Sequence, residues 1–278
     1  MPTSLYIHIT PDRPLRLQPY TSSGLGWLLS LIYQVDPALS EALHQAAAVK
    51  PFSVSTWLAV TDEDIELERS GEPRSLIPAA SVAPGSRVSL RVTAASDHIT
   101  TTILMALAKG NVPPLAGTPV AAVDYPAVLS PSECVDCFEC PWEALLAAPP
   151  ATRIDLCFAA PTAFSSQGRA ILLPETKRIL DSWSRKWTAW GGPASLAMSD
   201  IDAMAADILV DSYQLSTSIH GNGQARNRGF SGYLAWMFSP GTTPESRSAV
   251  ATLAGFANFS GTGAKTNFGF GQTRAQVT

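Results

Sequence analysis

The order of its expected elements constrains this chain most, because the same succession of strand and helix signals runs through it twice. In the first half, apolar alternation predicts strands over 4–10, 52–60, 65–69, 87–94 and 120–128, and 3.6-residue periodicity predicts helices over 24–35, 37–47 and 97–109. Leu25, Leu28, Leu29 and Ile32 recur at i, i+3, i+4 and i+7, which gives the first helix a buried stripe. Asp36 followed by Pro37 starts the second helix: a capping carboxylate, then a proline at the first helical position. In the second half a strand over 153–160 precedes a helix over 175–190. That helix turns Ile179, Leu180, Trp183, Trp187 and Trp190 inward and is expected to leave Arg178, Arg185 and Lys186 outward. Strands over 208–219 and 230–238 follow, then a helix that Thr243-Pro244 caps and that buries Val250, Leu253, Ala254 and Ala257. A glycine-rich tail, in which Phe268 and Phe270 alternate with small or polar residues, is expected to supply the last strand. Strand–helix–strand–strand–helix–strand, twice, describes an α+β chain of two tandem ferredoxin-like (RRM-like) domains. Pro149-Pro150 interrupt the pattern and place the boundary between an N-terminal domain over 1–148 and a C-terminal domain over 149–278.

Composition allows real cores and argues against disorder: 46% of the 278 residues are apolar. Only 15% are charged and the net charge is −4, so no global basic field exists of the kind a non-specific nucleic-acid binder shows. The halves differ in sign. Residues 1–150 hold 8 Lys/Arg against 15 Asp/Glu, net −7, whereas 151–278 hold 11 against 8, net +3. Any contact with a polyanion therefore falls to the second half or to local patches. No charged n-region followed by an apolar h-region opens the chain, and no apolar run is long enough to span a membrane, so a cytoplasmic protein without membrane contact is expected.

The tail reads Gly261-Thr262-Gly263-Ala264-Lys265-Thr266-Asn267-Phe268-Gly269-Phe270-Gly271, two Gly-x-Gly units separated by five residues. A dinucleotide fingerprint requires a strand before its glycines, and here a helix precedes them. A P-loop requires contiguous Gly-Lys-Ser/Thr, and Ala264 separates Gly263 from Lys265. Glycines at this density free the backbone to approach a phosphate and turn N–H groups toward it, while Lys265 supplies a cation. The implied ligand is a nucleic-acid backbone.

Gly-x-Gly-x5-Gly-x-Gly after an apolar helix resembles the signature of the CRISPR-associated repeat-processing endoribonucleases, the sixth Cas family of the RAMP superfamily. Leu31-Ile32-Tyr33, Leu43-His44, Lys50 six residues further and Phe52-Ser53-Val54-Ser55 are similar to that family's N-terminal catalytic region; Pro161-Thr162-Ala163-Phe164 with Leu172-Leu173-Pro174 is similar to the start of its second half. The resemblance implies metal-independent cleavage within the repeats of a CRISPR precursor RNA, giving a 2′,3′-cyclic phosphate and a 5′-hydroxyl, with no cofactor. Such cleavage needs a base for the ribose 2′-OH, a donor for the charge on phosphorus, and an acid for the leaving oxygen. His44, Tyr33 and Lys50 are the expected catalytic residues. Gly261, Gly263, Lys265, Thr266, Gly269 and Gly271 are expected to hold RNA, joined by Arg226 and Arg228 from the 221–229 hairpin, whose guanidinium forks suit phosphates. His220 beside that hairpin is a lesser candidate for RNA contact, and Arg178, Arg185 and Lys186 could add an electrostatic flank. The same fold could instead retain a processed guide RNA as a non-cleaving subunit among other Cas proteins of an interference complex.

Two further patterns compete. Cys134, Cys137 and Cys140 at Cys-x2-Cys-x2-Cys spacing, with Cys157, could bind zinc or an iron–sulfur cluster, although reduced thiols are the default and no metal is expected. The acidic run from Asp62 to Glu68 could hold divalent cations, but its alternation with Ile65 and Leu67 describes one acidic strand face. His8 and His98 are expected to be structural and without partners.

Overall fold

The computed structural model describes residues 1–45, 49–59, 61, 63, 77–124, 137–194, 196, 200–221 and 226–278. These residues fall into two compact units. The first holds the described part of 1–139 together with Asn267–Gly269; the second holds the described part of Cys140–Thr266 with Phe270–Thr278.

The first unit contains β1 (Thr3–Pro11), β2 (Leu15–Arg16), α1 (Ser23–Tyr33), α2 (Pro37–Gln45), β3 (Phe52–Leu58), β4 (Ser81–Val82), β5 (Val88–Ala94), α3 (Asp97–Ala108), β6 (Val120–Asp124) and β7 (Cys137–Glu139). Its main sheet has the order β3-β5-β1-β6 with every pairing antiparallel, and β7 pairs with the start of β1. Two crossovers of the ferredoxin type produce that order: the one from β1 to β3 leaves a gap that β5 fills, and the one from β5 to β6 passes over β1. Leu5, Ile7 and Ile9 of β1 form one core with Val54, Leu90 and Val92, under Leu28 and Ile32 of α1 and Ile103 of α3. Each such side chain contributes roughly 1.5–3 kcal/mol on leaving water. The Asp36 carboxylate accepts from the Leu39 N–H at 2.8 Å, so the expected cap of α2 forms. His8 and His98 do have partners, contrary to expectation. His8 Nδ1 lies 2.7 Å from the Ser89 hydroxyl directly across the ladder, and His98 Nε2 lies 3.4 Å from Asp36 Oδ2. The expected strand over 65–69 lies outside the described residues, as does most of the acidic run.

The second unit contains α4 (Trp142–Leu146), β8 (Arg153–Thr162), β9 (Phe164–Ser166), β10 (Arg169–Ile171), α5 (Thr176–Ala189), α6 (Ile201–Ala206), β11 (Ile208–His220), β12 (Asn227–Phe238), α7 (Pro244–Ser260) and β13 (Thr273–Val277). Its sheet has the order β11-β12-β8-β13, again wholly antiparallel, so the two units share one strand order. Ile179, Leu180, Trp183 and Trp187 of α5 are buried as expected, with Trp183 5.7 Å from Trp236 and Trp187 edge-on to Phe256 at 5.3 Å. Thr243 Oγ1 caps α7 by accepting from the Ser246 N–H, and Val250, Leu253, Ala254 and Ala257 point into the core. The α4 helix, which a boundary at 148/149 would give to the N-terminal domain, belongs to this unit: the Leu145 carbonyl accepts from Thr252 of α7 at 2.9 Å.

Two expectations need correction. The last strand is Thr273–Val277, after the glycines, and not the Phe268–Phe270 segment, which lies in a loop. Lys186 does not face outward with Arg178 and Arg185 but is buried, and its ammonium donates to the carbonyls of Ser260 and Gly261 at 3.0 and 2.9 Å. The charge closes the end of α7, where carbonyls otherwise lack donors.

Candidate functional site

In the first unit, Tyr33 ends α1 and His44 stands in the last turn of α2. The short 34–36 connection and a hydrogen bond from the Ser40 hydroxyl to the Leu29 carbonyl, 2.9 Å, hold α2 against α1. Tyr33 and His44 therefore line one open pocket of about 250 Å³, together with Ser30, Ser40 and Glu41. The tyrosine ring is 60% exposed and the imidazole is exposed, so both can meet a substrate. Lys50 Nζ donates to the carbonyls of Leu43 and His44, the latter at 2.9 Å. Its ammonium thus sits at the negative end of α2, beside the backbone of His44. Burial pushes the Lys50 pKa down. Glu41, one turn before His44 on the same pocket, was missed from the sequence; its i, i+3 spacing from the histidine was the available signal.

In the second unit, Arg226, Arg228 and Lys265 line one cleft of about 320 Å³, and Arg169 joins them. Among the described residues no acidic side chain lines the cleft, and its lining is cationic. Arg169 was not anticipated. It is delivered by the β9–β10 hairpin, whose turn residues Gln167 and Gly168 both have positive φ, and that Gln-Gly pair was its only sequence mark. Lys265 is exposed at the tip of the glycine loop and hydrogen-bonds to Asn227 at the start of β12. His220 is placed near this cleft through Phe270, edge-on at 6.4 Å, and its Nε2 lies 2.8 Å from the Ser218 hydroxyl. Partial burial lowers its pKa. Arg178 is engaged with Glu175 at 2.7 Å.

The four glycines of the tail pack closely against the protein's own backbone. Gly261 and Gly271 have φ +64° and +66°, and a Cβ on Gly271 would stand 2.1 Å from the Thr262 carbonyl oxygen. The Thr262 N–H donates to Gly271 O at 2.7 Å, which ties the two ends of the loop together, and the Thr266 methyl packs over the pair. All four glycine N–H groups donate within the protein: Gly261 to Ala257 O, Gly263 to the Ser182 hydroxyl, Gly269 to Val54 O and Gly271 to Pro161 O. The glycines shape the loop, and Lys265 is the cation it presents.

Of the four cysteines weighed as metal ligands, Cys134 lies outside the described residues, as does the side chain of Cys137. Cys140 and Cys157 are free thiols, and burial pushes both pKa values up, which disfavours the thiolate a metal requires. Among the described residues no group of three or more His, Cys, Asp or Glu side chains could hold a metal ion. Among the same residues no helix is long and apolar enough to cross a membrane.

Fold and site together define a protein of two tandem ferredoxin-like units, with an open Tyr–His pocket in one unit and a cationic cleft in the other. Residues 156–273 match the family model of the CRISPR-associated endoribonuclease Cas6. A solved Cas6 product complex superposes with a TM-score of 0.75 at 24% identity, covering 99% of each chain. Thermus thermophilus Cas6 gives 0.69 at 23%, covering 99% of this chain and 98% of that one. A Cas6-related protein of Pyrococcus furiosus gives 0.58 at 12% with the same coverage. No curated protein matches the sequence. The resemblance to the CRISPR-associated repeat-processing endoribonucleases is thereby borne out, in the family model over the C-terminal part of the chain and in the fold over its whole length.

Proposed function

We propose that this protein is a metal-independent endoribonuclease that cuts CRISPR precursor RNA within its repeats. His44 accepts the proton of the ribose 2′-OH, the 2′-oxygen attacks phosphorus, and the P–O5′ bond breaks. The products are a 2′,3′-cyclic phosphate and a 5′-hydroxyl, to which the protonated His44 returns the proton. Tyr33 orients or exchanges that proton, and Lys50 sets the position of His44 and adds positive charge beside it. Arg169, Arg226, Arg228 and Lys265 hold the RNA backbone, with Gly261, Gly263, Thr266, Gly269 and Gly271 fixing the shape of the loop that carries Lys265. The N-terminal domain would then perform the chemistry and the C-terminal domain the grip, in a cytoplasmic protein that needs no cofactor.

The observation that carries this reading is the meeting of Tyr33 and His44, from two different helices, on one open pocket. The test is cleavage of repeat RNA in EDTA by wild type and His44→Ala, with binding followed alongside. A general acid–base group contributes about 10²–10⁴-fold, so cleavage should fall by that factor while affinity stays. Unchanged cleavage by the variant would reject His44. Lys50, whose ammonium is engaged with two helix carbonyls, favours a second reading in which the protein retains guide RNA and cuts nothing, as a subunit among other Cas proteins. Intact RNA after incubation with wild type, despite tight binding, would select that reading.

A further inference from the structure

Three polar groups on the buried side of α5 end on the same short stretch of chain. Lys186 Nζ donates to Ser260 O at 3.0 Å and Gly261 O at 2.9 Å, Trp183 Nε1 donates to Thr262 Oγ1 at 2.8 Å, and Ser182 Oγ accepts from the Gly263 N–H at 2.8 Å. Ser182, Trp183, Lys186, Ser260 and Thr262 are all buried, so water competes for none of these bonds. An ammonium is costly to keep away from solvent, and burial holds that of Lys186 down to about 7. A methionine would fill the same space without that cost. What the lysine adds is a pair of donors to the last carbonyls of α7, fixing the direction in which the chain leaves the helix. The Ala264 N–H then donates to Ala163 O at 2.8 Å, and Lys265 follows at φ +60°. Nothing in the loop between these anchors and the Lys265 side chain is long enough to absorb a shift.

We propose that Ser182, Trp183 and Lys186 are positioning residues that hold Ser260–Gly263 so that Lys265 faces an RNA phosphate in the cationic cleft. This rests on the reading that the cleft binds RNA. None of the three touches the cleft. They act through the loop, and they should affect how tightly RNA is held and not how fast it is cut.

The test measures repeat-RNA affinity and single-turnover cleavage at saturating RNA for wild type, Ser182→Ala, Thr262→Val, Lys186→Met and Lys265→Ala, with thermal melting to confirm folding. Ser182→Ala removes one anchor, Thr262→Val removes the Trp183 anchor together with the bond from the Thr273 hydroxyl, and both change volume little and keep every cation of the cleft. Lys265→Ala should weaken binding about 10-fold, as loss of a phosphate contact does. Ser182→Ala and Thr262→Val should weaken it about 3- to 10-fold with the cleavage rate within about twofold, and adding Ser182→Ala to Lys265→Ala should cost almost nothing more. A purely structural role would lower the melting temperature without that non-additivity. The inference is overturned if folded Ser182→Ala and Thr262→Val bind like wild type while Lys265→Ala does not, or if the double variant shows additive losses. Unchanged affinity in Lys265→Ala would remove the cleft reading itself, and this inference with it. Should Lys186→Met fail to fold, the two conservative variants decide alone.

Discussion

Lys50 illustrates how one side chain can serve local structure and chemistry together. Its ammonium closes the carbonyls of Leu43 and His44, so removing it both frays α2 and releases the backbone that carries the imidazole. Lys50→Met should cost about 1 kcal/mol of stability through the lost charge-assisted bonds and lower single-turnover cleavage at least about 10-fold. Repeat-RNA affinity should hold, because Lys50 does not line the cationic cleft. Equal losses in affinity and rate would argue against a positioning role. At this scale the sequence was readable where capping and periodicity fixed a helix, as for α2, which Asp36-Pro37 starts and whose last turn carries His44. It misled where charge was taken as a sign of exposure. Lys186 follows Ile179 by seven positions and Trp183 by three, on the stripe that periodicity marks as inward, yet its charge argued for solvent. Two backbone carbonyls at a helix terminus, donated by an element 74 positions away in sequence, decided otherwise, and no local pattern announces them.

At the scale of elements, periodicity located most helices and long strands to within a few residues, because each buries one face against its own sheet. The glycine loop was located, but the packing of its glycines was not legible. Density alone could not say whether the missing Cβ atoms make room for RNA or for the protein's own backbone. The distinction yields a paired prediction. Gly271 has φ +66° and its Cβ would collide with the Thr262 carbonyl, whereas Gly26, exposed in the middle of α1, has nothing within 4 Å of its Cβ position. Gly271→Ala should destabilise the protein by more than the roughly 1 kcal/mol that left-handed strain alone exacts, while Gly26→Ala should be neutral or stabilising by up to about 1 kcal/mol. Urea denaturation of both variants measures the difference. A harmless Gly271→Ala would mean that the loop does not close on itself as described. The short β9–β10 hairpin escaped the sequence for a related reason: three-residue strands carry too little alternation to register, and Arg169 went unseen with it.

For the molecule as a whole, charge asymmetry is the property that composition exposed most clearly. The protein is net −4, but residues 151–278 carry +3, and four cations of that half converge on one cleft that no acid lines among the described residues. An acidic protein with a local basic cleft should bind RNA through a small number of phosphate contacts, without the broad attraction of a uniformly basic surface. Binding should weaken with salt accordingly. If Arg169, Arg226, Arg228 and Lys265 each neutralise one phosphate of a single strand, the slope of log affinity against log salt is about −2.8, at about 0.7 per contact. Arg169→Ala should then shorten the slope by about 0.7 and weaken binding on repeat and unrelated RNA alike, because phosphate contacts carry no sequence information. Anisotropy titrations between 50 and 300 mM salt, a range of roughly sixfold in screening ion concentration, resolve that change. A slope unaffected by Arg169→Ala would place the residue outside the RNA path, and a loss confined to the repeat sequence would mean that its guanidinium reads a base edge.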